Sequence, residues 1–188
     1  MLRTVPFYYL RHGQTDWNRD RLCQGDLDIP LNATGEEQAR AAAILLRHEP
    51  IVSICVSPLQ RARRTAEIVN EVLRVPMTVI DDLREICDGA HQGLIMEAGF
   101  YEGRRGGSLL PEGAESLEAI HARALAAMNA ALAHSGPVLV VSHGGIYWGV
   151  EHHTALVGPT LPHGEPVFHA PPGTKAPVWT RRRLASGA

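Results

Sequence analysis

Val138-Leu139-Val140-Val141-Ser142-His143-Gly144-Gly145 is the stretch from which the fold can be read. Four consecutive apolar residues, three of them β-branched, suit a central parallel strand covered on both faces. The run then breaks into a Ser-His pair and two glycines, so reactive side chains stand at the strand's carboxyl end. Gly136-Pro137 separates this strand from a preceding helical pattern, in which Leu117, Ile120, Ala124, Met128, Ala131 and Leu132 recur on one face. A further helix is expected from about Ile146 to Leu156.

Outward from this core the pattern repeats. Phe7 to Leu10 reads as a short buried strand that ends at Arg11-His12-Gly13. Thr34-Gly35-Glu36-Glu37 has the form of a capping box opening a helix to about His48, ahead of Pro50. Val52 to Val56 is strand-like. Ser57-Pro58-Leu59-Gln60 reads as a second capping box with proline at the first helical position, its helix ending near Arg74. Met77 to Ile80 is a further strand, and Val167 to Ala170 with Val178 to Leu184 form a closing pair. Alternation of strand and helix periods marks an α/β domain. The expectation is one domain over residues 1–188, a three-layer α/β/α sandwich with a mostly parallel central sheet. An irregular, Gly-rich excursion is expected at about residues 94–115.

Bulk properties exclude several classes of function. The 188 residues carry 45% hydrophobic and 20% charged side chains, which describes a globular chain. A net charge of −2 lacks the broad basic face that a nucleic-acid or membrane-surface partner requires. Of the 18 basic residues all but one are arginine, which suits either genome composition or anion recognition. Cys23, Cys55 and Cys87 are odd in number and widely spaced, so a disulfide framework is not expected and a cytoplasmic location is. No stretch reaches the roughly 20 apolar residues of a membrane span, and the N-terminal apolar run is too short for a secretory signal.

Ligands of open α/β sheets bind beyond the carboxyl ends of the strands. Three polar clusters fall there: Arg11-His12-Gly13, Ser57 to Arg61, and Ser142-His143-Gly144-Gly145. The topology therefore gathers His12, Arg61 and His143 at one edge, where imidazoles, guanidiniums and a helix N-terminus make an anion site. Taken singly, each cluster has a plain structural reading as a turn, a helix start or a solvated arginine. His91, His121, His163 and His169 read as surface or structural residues. His152 and His153 lie about 100° apart on a helix and do not chelate one metal together. No zinc-ligand spacing occurs, and neither a metal nor a cofactor is expected.

Leu10-Arg11-His12-Gly13-Gln14-Thr15-Asp16-Trp17-Asn18 resembles the signature of the histidine phosphatase, or phosphoglycerate-mutase-like, superfamily. The resemblance continues through Gln24-Gly25, Asp28 to Asn32, Gly35, Ser57 to Ala62, Thr65-Ala66, Leu83-Arg84-Glu85, Gly89, Gly93, Glu112-Gly113, Glu115-Ser116 and Ser142 to Gly145. It covers about residues 5 to 150. The resemblance implies a phosphoglycerate-mutase-like fold and cofactor-independent phosphoryl transfer, with His12 as nucleophile. It implies Arg11, Asn18, Arg61 and His143 as phosphate ligands and Glu85 as proton donor, with Asp88 the nearest competitor. Thr15 and Gln24 would border the pocket. A small phosphorylated substrate is the expected partner, and a homodimer is compatible with the sequence.

Three functions fit that resemblance. A phosphatase is favoured over a phosphoglycerate mutase because the excursion is shorter than the lid with which glycolytic mutases keep water from phosphohistidine. Against this, Gly89-Ala90-His91-Gln92-Gly93 is nearer the mutase form. An inactive phosphate-binding protein is the third reading, disfavoured because His12 and Glu85 are both present. Arg104 and Arg105, in a Gly-flanked run, read first as a solvated loop; the alternative is a lid whose guanidiniums meet a second anionic group on the substrate.

Overall fold

The computed structural model describes residues 1–174 and 176–184. Within these residues six strands form one sheet: β1 Phe7–Arg11, β2 Ser53–Val56, β3 Met77–Val79, β4 Val138–Ser142, β5 Pro166–Ala170 and β6 Thr180–Arg183. Their order is β3-β2-β4-β1-β5-β6. The pairings β3/β2, β2/β4 and β4/β1 are parallel, while β5 runs antiparallel to both β1 and β6. Among the described residues, six α-helices accompany the sheet: α1 Asp16–Arg19, α2 Ala33–Leu46, α3 Gln60–Leu73, α4 Phe100–Arg105, α5 Leu117–Ala131 and α6 Gly144–Thr154. Among the described residues, no helix is long and apolar enough to cross a membrane.

Period-two alternation sorts the sheet's side chains between two apolar clusters. Phe7, Tyr9, Val138 and Val140 face α5 and α6, where Ala124, Met128, Ile146 and Val150 meet them. Tyr8, Leu10, Leu139 and Val141 face α2 and α3, against Ala43, Leu46, Ala62 and Val69. Helices thus cover both faces, which explains why every residue of β4 is buried and why its sequence is apolar without alternation. Each such fully buried valine or leucine contributes about 1.5–3 kcal/mol relative to exposure.

Both expected capping boxes are corrected. Helix α2 begins two residues earlier than expected: Asn32 is its N-cap and accepts from Gly35 N at 2.9 Å, while Thr34 lies inside the helix, exposed. Asparagine caps at least as well as threonine, and this one is held in place by the bond from its amide N to Gln14 O at 3.0 Å. Helix α3 starts at Gln60, with Leu59 as N-cap and no side-chain cap of its own. Ser57 is engaged elsewhere, and Asp28 Oδ1 accepts from Gln60 N at 2.7 Å from a distant loop. The 94–115 excursion is only partly irregular. It contains α4, whose Phe100 is buried against the His91 ring at 4.1 Å between centroids.

The cap assignment is testable. Asn32→Ala should lower stability by about 1 kcal/mol in urea unfolding with unchanged m, whereas Thr34→Ala should stay within about 0.5 kcal/mol. Equal losses would return the cap to Thr34.

Candidate active site

The register of the parallel strands builds the site. Arg11 pairs with Ser142, and Leu10 and Val56 both pair with Val141, so β1, β4 and β2 end side by side. His12 N and Ser57 N continue the ladder onto Ser142 O and Val141 O at 3.0 and 3.1 Å. The first residues beyond three strands are therefore His12, His143 and Ser57. The rings of His12 and His143 lie 5.1 Å apart, and His143 Nε2 meets Ser57 Oγ at 2.7 Å. Gly13 permits the turn after His12, because a Cβ there would stand 2.3 Å from Gly35 O on the α2 backbone.

Hydrogen bonds set the tautomers. His12 Nδ1 lies 2.7 Å from Gly13 O, and a carbonyl only accepts, so the proton sits on Nδ1 and Nε2 keeps its lone pair. Burial first, then the cations and imidazoles of Arg61, His143, His163 and Arg11, hold His12 well below the ordinary histidine range. It stays neutral at working pH. Ser57 Oγ accepts from Leu59 N at 3.3 Å and has its one proton to give to His143 Nε2; with the hydroxyl donating, the His143 proton sits on Nδ1. That Nδ1 is buried and has no partner among the described residues.

Two guanidiniums flank the imidazoles. Arg61 is fully buried; its NH1 and NH2 donate to Leu27 O and Gly25 O at 2.6 and 2.8 Å. Arg11 donates to Leu161 O at 2.9 Å, and its guanidinium lies over Gly144, 3.4 Å from where a Cβ would stand. Arg11 Nε and Arg61 Nε are buried without a partner, and neither arginine is in an ion pair among the described residues. Unpaired buried cations beside a helix N-terminus are costly for a folded protein and favour a bound anion.

Glu85 reaches the site from the loop after a 3₁₀ turn at Asp81–Leu83, whose Leu83 O accepts from Ser142 Oγ at 2.7 Å. Its Oε1 accepts from Ile86 N at 3.0 Å and from Gly145 N, at the start of α6, at 2.9 Å. Burial raises its pKa although Arg61 and Arg11 pull the other way, so the carboxyl retains its proton further toward neutrality than an exposed glutamate. Asp88, the competitor, is committed: it pairs with buried Arg104 at 2.8 Å and accepts from Cys23 Sγ at 3.3 Å. Arg123 steadies the Glu85 loop by donating to the carbonyls of Asp82 and Arg84, both at 2.8 Å, while pairing with Glu115 at 2.6 Å.

Of the residues expected from sequence, His12, His143, Arg11, Arg61 and Glu85 converge. Asn18 stands in α1, where its Oδ1 accepts from Thr15 N at 3.1 Å, which leaves the amide NH₂ as the end that can donate. Thr15 is fully buried and bonds Gln24 at 2.9 Å, so this pair braces α1. The Arg104 expectation is overturned. Arg104 is neither solvated nor a lid group but 1% exposed, bound to Asp88 and to Glu115 O at 2.9 Å. His163 was not expected: its ring lies 5.1 Å from that of His12, opposite a bond from its Nδ1 to His12 O at 3.1 Å. Burial and Arg11 hold it down at about 3. It comes from a turn after α6 whose Pro-His-Gly signal says only that the chain bends.

Known proteins share this arrangement's sequence and fold. A family model described as the histidine phosphatase superfamily, branch 1, matches residues 7–162. An "Uncharacterized phosphatase PhoE" of Bacillus subtilis is 42% identical, covering 72% of this chain and 69% of the relative. The "Probable phosphoglycerate mutase GpmB" of Escherichia coli K12 is 35% identical, over 74% of this chain and 70% of its own. A mycobacterial glucosyl-3-phosphoglycerate phosphatase, solved as a VO3 complex, superposes with a TM-score of 0.81 at 26% identity, covering 98% of this chain and 99% of that one. The α/β architecture is that of phosphoglycerate-mutase-like proteins, and the chain belongs to the histidine phosphatase superfamily, branch 1.

Proposed function

We propose that the protein hydrolyses phosphomonoesters through a phosphohistidine on His12. The observation that carries this is the locked Nδ1–H of His12, whose free Nε2 stands neutral among two unpaired guanidiniums, with protonatable Glu85 alongside. The Nε2 lone pair attacks phosphorus as the P–O bond to the alcohol breaks, and Glu85 gives its proton to the departing oxygen. Arg11, Arg61, Nδ1–H of His143 and the Asn18 amide hold the phosphoryl oxygens as charge spreads over them. Water then attacks phosphorus, the Glu85 carboxylate takes its proton, and the P–N bond breaks to release phosphate and neutral His12.

Phosphoglycerate mutase activity is the second reading, supported by the GpmB relative. The mutase-like Gln92 has a structural explanation here: its Oε1 accepts from Asp88 N at 3.0 Å and its side chain packs on Gly25. Hydrolysis is further supported by the two relatives named as phosphatases. The deciding assay supplies p-nitrophenyl phosphate in one arm and 3-phosphoglycerate with its bisphosphate primer in another. Phosphate release without isomerisation is expected; isomerisation would make it a mutase, and inertness in both arms a binding protein.

Glu85→Gln separates the acid role by leaving group. Alkyl phosphates, whose alkoxide needs a proton, should lose about 10²-fold or more in the phosphorylation step, and p-nitrophenyl phosphate less than about tenfold. Because burial raises the Glu85 pKa, its acid form is present at low pH and is lost as pH rises through the raised value. Wild-type kcat/KM for alkyl phosphates should therefore fall on the alkaline side. Equal slowing of both ester classes would leave Glu85 a structural role only.

A further inference from the structure

A cavity opens beside the reacting groups, lined by Arg11, Glu85, Ile86, Tyr101 and Trp148 and bordered by Arg105. It touches Arg11 and Glu85 together, the groups that hold phosphate and protonate the leaving oxygen in the function proposed above. In that function, this is the space beside the phosphate that a leaving alcohol would enter. One side of it is apolar, facing the charged side formed by Arg11, Glu85 and Asp88: Tyr101 meets Trp148 edge-on at 5.9 Å, and Ile86 and Trp148 belong to one buried cluster that Tyr101 packs against. Its volume of about 80 Å³ is well below the roughly 150 Å³ that encloses benzene, so a short chain fills it.

Apart from Arg11, which holds the phosphate in the function proposed above, the cations at this cavity already have partners. Arg104 is buried and neutralised by Asp88. Arg105 pairs with buried Glu151 at 2.9 Å and donates to Gly158 O at 3.2 Å. Glu102, also at the cavity, is exposed and forms no ion pair among the described residues. A carboxylate or second phosphate on the alcohol would meet paired cations and a free carboxylate. An uncharged carbon chain would meet Tyr101, Trp148 and Ile86.

We propose that the site selects phosphate monoesters of compact, uncharged, apolar alcohols, whose carbon skeleton packs against Tyr101 and Trp148. This rests on the hydrolytic function proposed above and assigns its substrate class. It stands in place of the alternative reading in which Arg104 and Arg105 receive a second anion on the substrate.

The test compares phosphate release from methyl phosphate, n-butyl phosphate and 3-phosphoglycerate, all esters whose alkoxides need the same proton donor. In the wild type, kcat/KM for n-butyl phosphate should exceed both others by at least about tenfold. Tyr101→Ala should lower the butyl-to-methyl ratio by about tenfold, and Tyr101→Phe, which keeps the apolar ring, should restore it. Equal turnover of butyl and methyl phosphates in the wild type would overturn the assignment, whatever the variants do. So would a preference for 3-phosphoglycerate that Arg105→Ala abolishes. If p-nitrophenyl and methyl phosphates are hydrolysed without a butyl preference, the pocket assignment falls alone. If no ester is hydrolysed, the phosphatase function falls with it.

Discussion

The parallel pairing of Arg11 with Ser142, at the carboxyl ends of β1 and β4, is the constraint from which the site follows. It puts residues about 130 positions apart in sequence onto neighbouring strands in matched register, so His12 and His143 leave the sheet together. A slip of one residue would turn each of these side chains to the opposite face. The slip is resisted because Phe7, Tyr9 and Leu10 are fully buried and would exchange clusters. Core packing and site geometry are thus one constraint. Tyr9 joins them directly, with its side chain in the core and its hydroxyl donating to His143 O at 2.8 Å.

What the sheet delivers is an unbalanced set of charges. Elsewhere the buried ions are matched: Arg104 with Asp88, Arg123 with Glu115, Glu151 with Arg105 and Arg181. Among the described residues, only around His12 do buried guanidiniums lack ion-pair partners, and the acid beside them, Glu85, is held toward its neutral form by burial. Leaving charges unpaired costs stability, and in return the same groups can act on a phosphoryl group without reorganising. In the proposed function, burial together with that field keeps the His12 imidazole neutral, and so able to serve as nucleophile, at a pH where an exposed histidine is partly protonated.

Much of this was legible in the sequence, for identifiable reasons. The apolar run 138–141 and the helical face of α5 carry periods that only burial explains, so strand order aside, the layers could be read. The motifs around His12, Arg61, Glu85 and His143 stand at strand ends or their loops, where chemistry collects. What failed were local rules overridden by tertiary contacts. Ser57 has the right spacing to cap a helix, yet its hydroxyl is taken by His143. Thr34 yields to Asn32, which the first loop orients through Gln14. Arg104 looked solvated because its flanking glycines suggest a loop, whereas a carboxylate 16 residues earlier draws it inside. His163 had no signal at all, since its closeness to His12 depends on how the chain returns from α6 to the sheet.

The central claim is that His12 itself carries the phosphoryl group, and trapping that species tests it most directly. Glu85→Gln mixed with p-nitrophenyl phosphate forms the intermediate readily but lacks the base that activates water. Rapid quenching and peptide mass spectrometry should then find an acid-labile phosphoryl group on Nε2 of His12, absent when His12→Ala is added. A phosphoryl group retained in that double variant, or found on any other residue, would contradict the account.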